Sequence, residues 1–149
     1  MKKSKDRPRA EPDREPKTQF AALPWRKTDG ALEVLLVTSR DTGRWVIPKG
    51  WPMKDLGPHR AAAQEAFEEG GVTGLPLRKS LGIYHYDKRL RTGRSQHVRV
   101  LVFPMAVGEV REQWPEMSQR QRRWVTPAEA SELVEEPELR RILARFTPA

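Results

Sequence analysis

The sequence predicts an α/β fold, a mixed β-sheet sandwiched by helices. Three observations carry this: apolar runs of strand length recur along the chain, one sharply bounded helical segment lies among them, and a capped helical segment follows the last of them. No internal repeat is visible. A chain of 149 residues suits one domain that buries roughly 70% of its unfolded surface, and is short for two. The hydrophobic fraction of 37% reaches about 44% once the ten glycines are added, near the composition of ordinary globular proteins.

Taken in order, residues 1 to 18 mix Lys, Arg, Asp, Glu and Pro without periodicity. They read as a disordered basic tail, which leaves 19–149 for the folded domain. Strands are expected at Phe20 to Trp25, Leu32 to Thr38 and Trp45 to Ile47. A helix follows, with Gly57 and Pro58 as N-cap and first-turn residue and Gly70-Gly71 as its stop. Further strands are expected at Leu81 to Tyr86, Val98 to Val107 and Trp124 to Val125. Thr126-Pro127-Ala128-Glu129 has the form of a capping box, and Pro137 divides the helix that it starts.

Several function classes drop out. The longest apolar run, Val100 to Val107 with Pro104 inside it, is far short of the ~18 residues of a membrane span, so no membrane partner is expected. The charged start has no apolar segment behind it and does not read as a secretory signal, which makes the cytoplasm the expected location. Without cysteine there are no disulfides, thiolate nucleophiles or Cys-based zinc sites. His59, His85 and His97 lack metal-ligand spacing. The net charge of +8 and a pI near 10.2 indicate a polyanionic partner. Nucleic acid, nucleotide polyphosphate and inositol polyphosphate all fit.

Against this basic background, the segment GWPMKDLGPHRAAAQEAFEEGGV, residues 50–72, collects Glu65, Glu68 and Glu69. The i, i+3, i+4 spacing puts the three carboxylates on one helix face. Two carboxylates ~6 Å apart repel by about 2–3 kcal/mol at an effective dielectric of roughly 20. No Lys or Arg stands three or four residues away to relieve them. A cation should therefore sit there, and an all-oxygen ligand set favours Mg²⁺ or Mn²⁺ over zinc or copper.

Gly50, Glu65, Ala66, Glu68, Glu69, Gly71 and Val72 together resemble the Nudix box, a pattern of G, five residues, E, seven residues, then REUxEExGU with U apolar. The lead-in Arg44-Trp45-Val46-Ile47-Pro48-Lys49-Gly50-Trp51-Pro52 is similar to that of Nudix hydrolases of the diphosphoinositol-polyphosphate and diadenosine-polyphosphate group. The resemblance extends over residues 19 to 146. Two box positions depart from it: the pattern's first Glu falls on Leu56, and its Arg on Gln64. In the family these two are expected to meet as an ion pair.

The resemblance implies an α/β/α sandwich with a mixed sheet. It implies Mg²⁺, with Mn²⁺ as substitute, held by Glu65, Glu68, Glu69 and the carbonyl of Gly50, and hydrolysis of a pyrophosphate bond. Glu65 or Glu69 is then a candidate base, as is a later-loop acid, Glu112 or Glu116. Arg40, Arg44, Lys49, Lys88, Arg89 and Arg91 are the expected substrate-binding cations, the last three in a hairpin loop that also carries Arg94; Arg120, Arg122 and Arg123 form a further basic set. Such density fits a small-molecule polyphosphate. The alternative is a module of the same fold that has lost catalysis and binds RNA or another polyanion. Five tryptophans, Trp25, Trp45, Trp51, Trp114 and Trp124, offer stacking surfaces without a specific assignment.

Overall fold

The computed structural model describes residues 16–148. Its elements in chain order are β1 (Lys17–Thr28), β2 (Ala31–Thr38), β3 (Trp45–Val46), β4 (Lys49–Gly50), α1 (Pro58–Gly70), β5 (Val72–Pro76), β6 (Gly82–Arg89), β7 (Ser95–Val110), β8 (Arg122–Val125), α2 (Pro127–Leu133) and α3 (Pro137–Arg145). Most of the tail expected at 1–18 lies outside the described residues. Its last two members do not belong to a tail: Lys17 and Thr18 open β1, paired with Val98 and Arg99.

The sheet is mixed because β1 runs parallel to β7, Lys17↔Val98 through Trp25↔Ala106, while every other pairing is antiparallel. β1 and β2 are joined at Asp29-Gly30, both with positive φ, the requirement of a tight primed hairpin turn. The order is β3-β2-β1-β7-β5, with β4 on β1, β6 on β7 and β8 on β2.

Period-two alternation explains the two layers. Ala21 and Leu23 of β1, Val34 and Leu36 of β2, and Val98, Val100 and Val102 of β7 face α2 and α3, where they meet Ala130, Val134, Leu139 and Leu143. The intervening Ala22, Leu35, Phe103 and Met105 face α1 and meet Ala62 and Ala66. Small residues on α1 let the helix lie close to the sheet, and even Gly70 abuts Leu35. The expected helix boundaries hold: Pro58 starts α1, and Gly71, with φ of 69°, ends it by donating its N–H to Ala66 O and Phe67 O. Thr126 and Glu129 form the expected capping box, and Pro137 starts α3. Among the described residues no helix is long and apolar enough to cross a membrane.

Candidate active site

The site begins at the C-terminal end of α1, where the last backbone carbonyls lack helical partners. The segment after β7 supplies them. Glu116 N–H donates to Glu68 O at 3.0 Å and Arg111 N–H to Gly71 O at 2.8 Å. Trp114 Nε1 donates to Glu69 O at 3.0 Å, and Arg122 Nη1 to Gly70 O at 3.0 Å. This docking carries Glu116 and Arg120 to the glutamates of α1. Arg120, nearly buried, donates from Nε to Glu116 Oε1 at 2.7 Å and from Nη1 to Thr38 O at 3.0 Å, and its Nη2 lies 3.3 Å from Glu69 Oε2. The relief absent from the helix itself thus comes from 51 residues further along the chain.

Glu65 and Glu69 lean toward β4. Lys49 N–H donates to Glu69 Oε1 at 3.3 Å, and Glu65 packs so tightly on Gly50 that a Cβ there would collide with its carboxylate. Burial, the charge of Glu69 and a hydrogen bond with it push the Glu65 carboxyl up to about 8. Burial also raises Glu69, against the pull of Arg120 and Lys49. The two carboxyls therefore favour their protonated forms more than free carboxylic acids do, with burial the largest cause in each. Glu68 takes a hydrogen bond from Gln64 Nε2 at 2.8 Å.

These groups line a cleft of about 310 Å³ with Gln19, Ser39, Arg40, Asp41, Lys49, Gly50, Trp51, Tyr86, Lys88 and Glu116. Arg40, Lys49 and Lys88 thus line the same cleft as the glutamates. The Lys49 ammonium lies 4.9 Å from the centre of the Tyr86 ring, and Tyr86 donates to buried Gln19 at 2.7 Å. Burial pushes Lys49 below its usual value, opposed by Glu69.

The other expected binding cations lie elsewhere. Arg44 does not line the cleft; its Nη1 lies 2.8 Å from Glu136 Oε2 of the α2–α3 junction. The approach is close but not aligned as a hydrogen bond, and both Arg44 Nη1 and Glu136 Oε1 lack hydrogen-bond partners among the described residues. Lys88 and Arg89 fall in β6 rather than in a loop, so the pleat sends Arg89 to the face opposite Lys88. Arg91 is exposed in the turn, closed by Gly93 at φ 87°. Glu116 lines the cleft and Glu112 does not. Among the tryptophans only Trp51 lines it; Trp114 and Trp124 are covered by Arg122 and Arg26, each 3.9 Å from the ring centre. Of the further basic set, Arg120 lines the cleft, but as the ion-pair partner of Glu69 and Glu116; Gln19 and Tyr86 were not expected here, since nothing in their spacing links them to α1.

The donor set is of the all-oxygen kind that suits Mg²⁺ or Mn²⁺: the carboxylates of Glu65, Glu68 and Glu69 line the cleft together with Gly50, whose backbone carbonyl is a further oxygen donor. Among the described residues no three acidic or histidine side chains gather tightly enough to enclose an ion unaided. Mg²⁺ commonly keeps several waters and completes its shell with phosphate oxygens.

A family profile described as the NUDIX domain matches residues 16–146. Among similar proteins, Nudix hydrolase 21, chloroplastic, of Arabidopsis thaliana is 38% identical over 119 residues, 78% of this chain and 58% of that protein. Diphosphoinositol polyphosphate phosphohydrolase 2 of Rattus norvegicus is 32% identical over 126 residues, 83% of this chain and 66% of that protein. The chain thus spans a little over half to two thirds of these relatives. In fold it is similar to the Ap4A hydrolase of C. elegans, with a TM-score of 0.62 at 18% identity, covering 89% of this chain and 96% of the other. With a domain match over nearly all described residues and the glutamate helix in place at the cleft, the chain belongs to the Nudix family.

Proposed function

We propose that this chain is a Mg²⁺-dependent pyrophosphohydrolase that cleaves a phosphoanhydride bond in a nucleoside or inositol polyphosphate. The observation that carries the reading is the meeting, in one cleft, of Glu65, Glu68 and Glu69 with Arg40, Lys49 and Lys88. The glutamates and the Gly50 carbonyl would hold the ion. When bound, Mg²⁺ supplies charge neutralisation at the phosphates and a water of lowered pKa. Lys49, Lys88 and Arg40 bind the phosphoryl oxygens and orient the chain of phosphates. Arg120 braces Glu69 and Glu116 against each other. Glu116 is the proposed proton acceptor for the attacking water, because it is the later-loop acid at the cleft. Water adds at phosphorus, the anhydride P–O bond breaks, and the departing phosphate takes the electron pair.

The inositol option draws on the name of the rat relative, and the nucleotide option on that of the nematode structure. Trp51, at the cleft and 40% exposed, is available to stack on a base. The deciding experiment is a panel of nucleoside, dinucleoside and inositol polyphosphates assayed for product release with and without Mg²⁺. Metal-dependent release from at least one member is expected. Folded protein that hydrolyses none of them with Mg²⁺ or Mn²⁺ present overturns the proposal.

A further inference from the structure

We infer that Gln64 is a positioning residue, orienting Glu68 through a neutral hydrogen bond that leaves the whole charge of that carboxylate available to the ion. The inference rests on the proposed metal site and concerns how this chain differs from its family's pattern.

Gln64 and Glu68 are one helical turn apart on α1, and the Gln64 amide nitrogen is 2.8 Å from Glu68 Oε2. A carboxylate only accepts, so the amide must donate. On the other side of the helix face, Gln64 lines a groove of about 640 Å³ with Leu56, Arg60, Phe67 and Arg111. The two departures from the box thus open onto one space. Among the described residues no acid lines that groove.

The consequence is electrostatic. In the family pattern an arginine at position 64 has a glutamate at position 56 to pair with. Here position 56 is Leu56, and an arginine at 64 would sit beside Arg60 and Arg111, the latter already paired with Glu109 at 3.1 Å, with no acid lining the groove among the described residues. Its nearest acid on the same helix face would be Glu68, at i+4. A guanidinium there would compete directly with the metal for Glu68. The amide keeps the geometric restraint and removes the competition, so Leu56 and Gln64 act as a matched pair of changes.

The test measures binding of Mn²⁺ alone to the full chain, by calorimetry or by loss of the free-ion EPR signal, with thermal melts to show that each variant folds. Gln64→Met keeps the volume but donates nothing, and should weaken Mn²⁺ binding about three- to tenfold at any ionic strength. Gln64→Arg should weaken it by at least as much in about 50 mM salt, with a deficit that shrinks in about 0.5 M salt as the competing charge is screened. Adding Leu56→Glu to Gln64→Arg should recover most of the affinity, because the guanidinium gains a partner away from Glu68. Parental affinity in Gln64→Met, or a salt-independent deficit in Gln64→Arg that Leu56→Glu does not repair, overturns the inference while leaving the metal site standing. A parent protein that binds no Mn²⁺ overturns the metal site and this inference together.

Discussion

Gly50 and the carboxylate of Glu65 occupy each other's space: a Cβ on Gly50 would fall on Oε2 and Cδ of Glu65. The obstruction is the tip of a flexible side chain, so an alanine here would be accommodated by Glu65 swinging out of the cleft. Gly50→Ala should therefore fold with a melting temperature within about 5 °C of the parent. It should lose about a hundredfold in kcat/KM, because an oxygen of the proposed metal site is misplaced. Thermal melts beside steady-state kinetics check both halves. Parental activity would show that Glu65 does not act from this position.

Glu68 and Glu69 should part company on stability while agreeing on activity. Glu68→Gln relieves repulsion, keeps its backbone contacts and is expected to be nearly neutral for the fold. Glu69→Gln also removes a charge that burial disfavours, but it takes one of the two carboxylates from nearly buried Arg120 and should be the less stable of the two variants. Both should reduce turnover by orders of magnitude. Urea unfolding of the metal-free variants gives the comparison, and an equal stability loss in the two would contradict the assigned role of Arg120.

The raised Glu65 carboxyl makes a signed pH prediction. Unfolded, the group titrates near 4.5; folded and metal-free, it holds its proton to about 8. Between these values the folded state binds more protons than the unfolded state, so stability falls as pH rises through that window. Glu65→Gln should flatten the decline, with the two proteins converging near pH 4 and the variant the more stable at pH 8. Chemical denaturation at several pH values in the presence of a chelator measures it. Parallel curves would place the proton elsewhere.

Arg44 and Lys88 should behave as different kinds of residue. Lys88→Gln is expected to raise KM for a polyphosphate by about tenfold, with the effect falling as salt is added. Arg44→Gln leaves Glu136 buried without its partner, and should cost about 2–4 kcal/mol of stability with little change in KM. Measuring both quantities on both variants separates them, and an exchange of the two outcomes would return Arg44 to the binding site.

The parts of this architecture legible in the sequence are those set by local chemistry. Gly57-Pro58 and Gly70-Gly71 bound α1, and Thr126 with Glu129 caps α2, because each device acts within one turn of backbone. β5 was not anticipated: Gly74 and Pro76 are residue types that weaken a strand pattern, yet antiparallel pairing with β7 holds Val72–Pro76 as a strand. The basic residues divided for a related reason. Lys88 and Arg89 are chemically alike and adjacent, and only the pleat of β6 separates cleft from outer surface. Arg120 reaches the glutamates through the docking of residues 111–122 on the end of α1, a long-range event without a mark in helical spacing. The departures at Leu56 and Gln64 were visible as letters, whereas the hydrogen bond from Gln64 to Glu68 needed the rotamers.

The parallel register of β1 on β7 also sets an order of events in folding. Lys17 pairs with Val98 and Trp25 with Ala106, so the centre of the sheet joins segments some 81 residues apart. Hairpins such as β1–β2 and β6–β7 close early at low entropic cost, but the contact that unites them must wait for a large loop to close. During synthesis, the glutamate helix leaves the ribosome well before the strand and the segment that position it. The glutamate-lined cleft is therefore among the last features to assemble, and a chain stopped before β7 carries its acidic cluster with neither Arg120 nor a completed sheet to hold it.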